Sequence, residues 1–240
     1  MDIKNMIYKR KSFRSYSAES LSPQTLLKIE NFVENARPLF PCIPFSWEIV
    51  PAGKVKNVQP WRAPHNFVMY ADNTMDSLMN IGFVFQQVEL YIQSLGLGTC
   101  WLGLGKIEAD CQTKRNGLKL VMMMAFGEFE NDNYRHSTEE FKRKTLEEIS
   151  DIADSRLECA RIAPSAVNSQ PWYFVHEADN IHVYGVEKYL RKIVLGDMNK
   201  IDIGIALAHL YLENKETFEF FKSENYPAVK GHYYVGSFKI

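Results

Sequence analysis

Two stretches of this chain run through the same order of elements, and that repetition limits the possible folds more than any other feature. The first begins with a helix over 23–36, opened by Ser22 as N-cap with Pro23 at the first helical position. It ends in Val33-Glu-Asn-Ala-Arg37, and Leu157-Glu-Cys-Ala-Arg161 is expected to end a similar helix later. Each is followed by a Trp-led strand, Trp47-Glu-Ile-Val50 and Trp172-Tyr-Phe-Val175. Next come Asn66-Phe-Val-Met-Tyr70 and Asn180-Ile-His-Val-Tyr184, both rich in strand formers. A long apolar helix then occurs in each half. In the first, Ile81, Val84, Phe85, Val88, Tyr91, Ile92 and Leu95 recur with helical spacing, and Gly96 stands where a left-handed cap is expected. The second, Ile203–Leu212, opens on an Ile-Gly pair that also occurs at Ile81-Gly82. Both stretches close on an apolar strand, over 120–129 and 233–240.

The order is kept while the intervals vary, as in a duplication whose loops have drifted. The competing explanation is that helix–strand alternation recurs by composition in many mixed folds. Duplication predicts two units, 1–130 and 141–240, joined through the acidic-polar segment Glu128–Glu140. They should pack about a pseudo-twofold axis as one intertwined body, as two chains do in a symmetric dimer. Composition is compatible with this. Of 240 residues, 46% are hydrophobic and 24% charged, enough apolar material for a core without a disulfide or metal staple. Cys42, Cys100, Cys111 and Cys159 have no CxxC spacing and no neighbouring His pair, so they are expected to be reduced thiols with no zinc. A net charge of −1 argues against bulk attraction to nucleic acid or anionic lipid. The longest apolar run, Leu120 to Phe126, falls short of a membrane span, and Met1-Asp-Ile-Lys lacks a signal peptide's apolar stretch. A cytoplasmic protein is expected.

Several segments have the chemistry of a ligand site. Lys9-Arg-Lys-Ser-Phe-Arg14 gathers four cations and a hydroxyl, a set suited to phosphate oxygens and equally to a solvated basic face. Lys142-Arg-Lys144 is a second basic patch before Thr145-Leu-Glu-Glu-Ile149, and by itself reads as the charged entrance of a helix. Gly96-Leu-Gly-Thr-Cys-Trp-Leu-Gly103 is no dinucleotide fingerprint, because Trp101 replaces its third glycine and the run follows a helix. It reads as a turn bringing bare backbone close to something flat, or as a simple helix cap. Cys100 beside it reads as a buried thiol. Ala163-Pro-Ser-Ala-Val-Asn-Ser-Gln-Pro-Trp172 is the most specific segment, a Pro-stiffened loop able to aim small polar groups at a heteroaromatic ligand. Gln59-Pro-Trp61 repeats its last tripeptide without the preceding Pro-Ser-x-x-Asn, which reads as coincidence.

Together these segments resemble the nitroreductase family of FMN-dependent oxidoreductases. Arg10–Arg14 is similar to that family's phosphate-binding motif, Gly96–Gly103 to its glycine turn beside the flavin, and Arg143–Ile149 to the basic segment closing its phosphate site. Ala163–Trp172 matches its A-P-S-x-x-N-x-Q-P-W loop at every specified position. The resemblance implies an α+β nitroreductase-like fold with mixed, mainly antiparallel sheets packed by helices. It implies FMN as cofactor, NAD(P)H as co-substrate and a small-molecule electron acceptor such as a nitroaromatic or quinone. Carried over residue by residue, it gives Arg10, Lys11, Ser12, Arg14 and Arg143 to the phosphate. Pro164, Ser165, Ala166 and Asn168 fall to the ring or ribityl hydroxyls, and the amides of Leu102 and Gly103 to the flavin N5. No side chain is expected to be a catalytic nucleophile or base.

One departure is informative. Family members carry the A-P-S loop early, yet Pro38-Leu-Phe-Pro-Cys-Ile-Pro-Phe-Ser-Trp47 stands at the early position here, and the intact loop lies in the second unit. Family sites are shared between two subunits, so the resemblance implies one composite site in a single-chain pseudo-dimer, with the mirror site dead and further association left open. Rival expectations are a nitroreductase-fold protein serving as a flavin-binding or non-catalytic interaction module, and a flavoenzyme with another acceptor, such as a dehalogenase or enoate reductase.

Overall fold

The computed structural model describes residues 2–56, 60–108, 111–129, 134–187 and 189–240, the side chains of 189–195 excepted. The first half runs α1 (Ile3–Ile7), α2 (Pro23–Asn35), β1 (Ser46–Pro51), β2 (Val55–Lys56), β3 (His65–Ala71), α3 (Met75–Ser94), β4 (Gly98–Trp101), β5 (Lys106–Ile107), β6 (Lys114–Arg115) and β7 (Leu118–Gly127). The second continues with α4 (Leu146–Ile149), α5 (Glu158–Arg161), β8 (Trp172–Glu177), β9 (Asn180–Val186), α6 (Tyr189–Glu213), β10 (Glu219–Phe221) and β11 (His232–Lys239). One sheet has the order β1-β3-β7-β4, with β6 also on β7, and the other β10-β11-β9-β8. All their strand pairs are antiparallel. Read from the Trp-led strand, each sheet places first strand, second strand, closing strand and post-helix strand in the same sequence.

Local chemistry explains the helix ends. The Ser22 hydroxyl accepts from the Thr25 amide with Pro23 in the first turn, and Thr74 caps α3 by accepting from the Ser77 amide. After α3 the chain turns through Gly96 at φ +82. The Leu157–Arg161 segment departs from expectation. In place of a counterpart to α2 there is a 3-10 turn over Ser155–Leu157 and the single turn α5. The chain before it is extended along β8, with a Ser150–Phe174 bridge and the Asp151 amide donating to the Phe174 carbonyl at 3.0 Å. The Asp154 carboxylate then accepts from the Arg156 amide at 2.9 Å and starts the short turn.

The main core gathers the two long helices with buried residues of both sheets, and a smaller cluster lies around Phe13, Val68, Tyr70 and Met123. α3 is buried around most of its circumference, polar Asn80, Gln86, Gln87, Glu89 and Gln93 included, and packs lengthwise on α6. Contact is closest at two glycines. A Cβ on Gly82 would lie 2.0 Å from the Ile201 carbonyl oxygen, and one on Gly204 would lie 2.0 Å from that of Met79. Each Ile-Gly pair thus presents its bare backbone to the other helix at an equivalent level. Among the described residues no helix is long and apolar enough to cross a membrane.

Candidate functional site

The N-terminal basic motif is docked on the edge of β4. Ser12 forms a parallel bridge with Thr99, and the Phe13 amide donates to the Thr99 carbonyl at 2.9 Å. This turns Arg10 inward, where it is buried against Glu89 of α3, with Nε and Nη2 at 2.9 and 2.8 Å from Oε1. Glu89 also accepts from Gln86 (2.6 Å), Gln93 (3.0 Å) and Thr99 (3.1 Å), so the buried pair has the supporting hydrogen bonds such pairs need. Arg10 Nη2 also donates to Ser12 Oγ at 3.2 Å.

Gln86 extends the network to the cavity wall. Its Oε1 accepts from the Trp101 indole at 3.3 Å, and its Nε2 lies 3.0 Å from Nε2 of His209 on α6. Burial pushes His209 down to about 3, so its ring is neutral. Nδ1–H therefore donates to the Cys159 carbonyl at 2.8 Å, and Nε2 accepts from Gln86.

The 163–172 loop is strained and firmly tied. Val167, Asn168 and Gln170 have φ of +47, +56 and +46. For a β-branched residue such as Val167 that backbone costs on the order of 1–3 kcal/mol and persists only where the surroundings enforce it. Asp202 of α6 takes the Ala166 amide on both carboxyl oxygens at 3.0 and 3.1 Å, and Ser165 Oγ accepts from the Gln170 amide at 2.9 Å. The 142–144 segment holds the outer side. Arg143 donates to the Ala163 carbonyl (3.1 Å) and to Asn168 Oδ1 (2.6 Å), and Lys144 reaches the Gln170 carbonyl at 2.9 Å.

These pieces enclose a cavity of about 330 Å³, in the range of small-molecule sites. Ser12 and Arg14 of the N-terminal motif, Leu102 and Gly103 of the turn after β4, and Pro164, Ser165 and Ala166 of the loop all line it. The other four expected site residues stand outside its walls. Arg10 is behind Ser12, Lys11 holds Gln93 through its amide at 3.1 Å, and Arg143 and Asn168 bond to each other. Two backbone assignments are corrected: the Leu102 amide already donates to the Met123 carbonyl at 2.8 Å, and the Ala166 amide is committed to Asp202. Among the described residues the Gly103 amide has no protein acceptor. The sequence reading missed Trp61, Met122, Met198 and Asp202 in the walls. Trp61 belongs to the tripeptide set aside as coincidence, whose Gln59 lies outside the described residues. Asp202 was signalled by an acid in an apolar helix, at the place where Asn80 precedes the first Ile-Gly pair.

Guanidinium groups gather behind the 163–172 loop. Arg143 is pushed down to about 10, first by burial and then by Arg10, Arg135 and Arg161. Glu89 pairs with Arg10 and Glu158 with Arg161 at 2.5 Å, but Arg143 has no carboxylate partner among the described residues. Such an arrangement favours an anion. Arg135, from the expected connector, gave no motif signal. It donates to the carbonyls of Lys9, through its amide at 2.9 Å, and of Arg10, and its guanidinium lies 4.2 Å from the Phe141 ring. Apolar walls, the Ser12 and Ser165 hydroxyls and an uncompensated guanidinium nearby would suit a planar ring carrying a phosphate arm, as FMN is.

The early 38–47 loop is packed differently. Phe40 of the early 38–47 loop meets Phe220 of β10 edge-on at 5.7 Å, and the Lys222 ammonium lies 5.7 and 5.9 Å from the two rings. The 163–172 loop borders the cavity, whereas the early loop sets Phe40 against Phe220 of β10.

A comparison with curated proteins finds no match. Among solved structures, a putative nitroreductase from Thermotoga maritima MSB8 aligns with a TM-score of 0.62 at 21% identity, over 99% of this chain and 92% of that one. At that identity the likeness establishes the fold. A nitroreductase family protein from Clostridium difficile 630 (TM-score 0.47, 16% identity) covers 62% of this chain and 95% of its own. An FMN-dependent nitroreductase from Clostridium difficile R20291 (TM-score 0.45, 14% identity) covers 56% and 94%. The family model described as "Putative TM nitroreductase" matches residues 2–214. Spanned by that match over nearly its whole length, and folded as it is, this chain belongs to that nitroreductase family.

Proposed function

We propose that this chain is an FMN-dependent oxidoreductase that passes hydride from NAD(P)H to a small organic acceptor, such as a nitroaromatic or quinone, at one composite site. The observation that carries the reading is the cavity, where the N-terminal motif, the turn after β4 and the 163–172 loop meet although they are far apart in sequence. We further read the chain as two nitroreductase-like repeats, 1–130 and 141–240. The shared strand order, the reciprocal glycines and the Asn80/Asp202 equivalence support that reading. With Phe40 packed against Phe220 beside the early loop, one flavin per chain follows.

Bound FMN would supply two-electron transfer between nicotinamide and acceptor; the protein binds, orients and excludes water. Arg14 and Arg143 would hold the FMN phosphate with charge-assisted hydrogen bonds. Arg10 acts one step back, since its N–H donates to Ser12 Oγ and leaves the Ser12 proton free to be given to the Cys100 sulfur or a ligand oxygen. Ser165 is prepared in the same way by the Gln170 amide. Asn168 steadies Arg143, and Lys11 adds positive potential at the entrance. The Gly103 amide is the backbone donor left to stabilise negative charge on the ring. Pro164, Trp101 and Leu102 give flat apolar faces that keep water from the reacting edge.

Titration by quenching of flavin fluorescence tests this. Arg14→Ala should weaken FMN by about 10- to 100-fold, the loss of one or two charged hydrogen bonds. Ser165→Ala should weaken it by about fivefold. Ser46→Ala, in β1 and not among the residues lining the cavity, should leave it unchanged. A protein that is colourless as purified and cannot be reconstituted would reduce the chain to a module keeping only the fold.

A further inference from the structure

The polar residue before each Ile-Gly pair does the same structural job with different chemistry. Asn80 closes the early loop with its amide: Oδ1 accepts from the amides of Leu39 (2.8 Å) and Phe40 (3.1 Å), and Nδ2 donates to the carbonyls of Phe40 (3.3 Å) and Ile43 (3.4 Å). Asp202 holds the later loop through the Ala166 amide. A neutral amide therefore suffices to anchor such a loop, yet an ionisable group stands at 202. The two positions differ in what lies beside them. Asn80 adjoins a loop closed by aromatic packing, whereas Asp202 is part of the cavity wall.

Asp202 is buried, and among the described residues no cation lies within ion-pair distance of it. An unpaired buried carboxylate costs several kcal/mol, so such a group keeps its proton or meets a donor. Burial pushes the Asp202 carboxyl up to about 8, against the opposing pull of the Ala166 amide and the Ser169 side chain. The ionisable groups on the walls it shares are Arg14 and Cys100, and burial pushes the Cys100 thiol up as well. Along α6, Lys200 is taken by Asp197 at 3.0 Å and His209 is neutral. The facing stretch of α3, Met79 to Phe83, carries no titratable side chain. Among the described residues nothing beside Asp202 supplies the charge that would keep it ionised.

We propose that Asp202 faces the bound ligand as a neutral acid and gives its carboxyl proton as a hydrogen bond to an acceptor atom of that ligand, so that binding selects the protonated form. This rests on reading the ligand as a flavin, whose ring edge carries several carbonyl and imine acceptors. Nitroreductase chemistry needs no acid here; the assignment comes from the cavity, the absence of a cation partner and the amide at the equivalent position.

The test is FMN titration of wild type and Asp202→Asn from about pH 6 to 9, with calorimetry in two buffers of different ionisation enthalpy to count protons. Asparagine keeps a donor, does not titrate, and anchors the equivalent loop at position 80. Wild-type affinity should fall as pH passes about 8, tending toward about tenfold per unit, with proton uptake on binding in that range. Asp202→Asn should show no such fall and no proton uptake, and should stay within about threefold of the wild-type affinity at low pH. Because both proteins share the ligand's own ionisations, the difference between them isolates Asp202. Coincident pH profiles, or equal proton uptake, would overturn the proposal. Failure of the wild type to bind FMN at any pH would instead refute the flavin reading, before any substitution is considered.

Discussion

Replacing Gly82 or Gly204 by alanine tests whether the two long helices are related as equivalent halves. Each new Cβ would sit 2.0 Å from a carbonyl oxygen of the facing helix, while ordinary contact begins at 3.4 Å. Carbonyl oxygens of a helix backbone cannot rotate aside, so α3 and α6 must part by about 1.4 Å at the crossing. Overpacking of this kind costs about 3 kcal/mol, and better helix propensity returns about 1 kcal/mol, for a net loss of about 2 kcal/mol in each single variant. The same separation relieves both clashes. The double variant meets that cost once and gains the propensity twice, so it should lose about 1 kcal/mol, well short of the additive value of about 4 kcal/mol. Equilibrium urea unfolding measures all three. Unequal singles, a stabilised single or an additive double would refute reciprocal close packing about a pseudo-twofold axis.

Val167→Gly should stabilise the fold by about 1 kcal/mol in urea unfolding, because glycine removes strain at φ +47 and returns only part of that gain as chain entropy; a loss of stability would mean the loop is unstrained there. Asp202 should also shape stability against pH. Its carboxyl is raised to about 8 in the folded chain, so its contribution is complete below the unfolded value near about 4 and declines by up to about 1.4 kcal/mol per unit until pH passes the folded value. Asp202→Asn should remove that slope, and matching slopes in the two proteins between about pH 5 and 7.5 would show that Asp202 does not keep its proton on folding.

The parts of this fold legible in the sequence were those written in local chemistry. Ser22-Pro23, the apolar spacing from Ile81 to Leu95 and the paired Ile-Gly steps are nearest-neighbour signals, and helices and strands formed where they lie. The helix expected before Arg161 depended on matching to Val33–Arg37, and pairing of the preceding residues with β8 overrode it. In the site, the 163–172 loop could be read because its prolines and small polar residues are contiguous. Arg10 carried a phosphate motif, yet its guanidinium is spent on Glu89, an acid hidden within an apolar helix whose partner no spacing reveals. Arg143 and Asn168 were singled out separately, and only the tertiary structure shows that they bond to each other. Trp61, Arg135 and Met198 reach the cavity or its cationic end from segments with no motif, so only the folded chain brings them there.

The number of FMN molecules bound per chain, measured by calorimetric titration of protein freed of flavin, tests the composite site most directly. One per chain is expected, from the cavity joined across both halves and from the packing of Phe40 against Phe220 beside the early loop. Two per chain would mean the early loop still forms a site, and none would mean that the cavity lined by Ser12, Gly103 and Ser165 serves something other than a flavin.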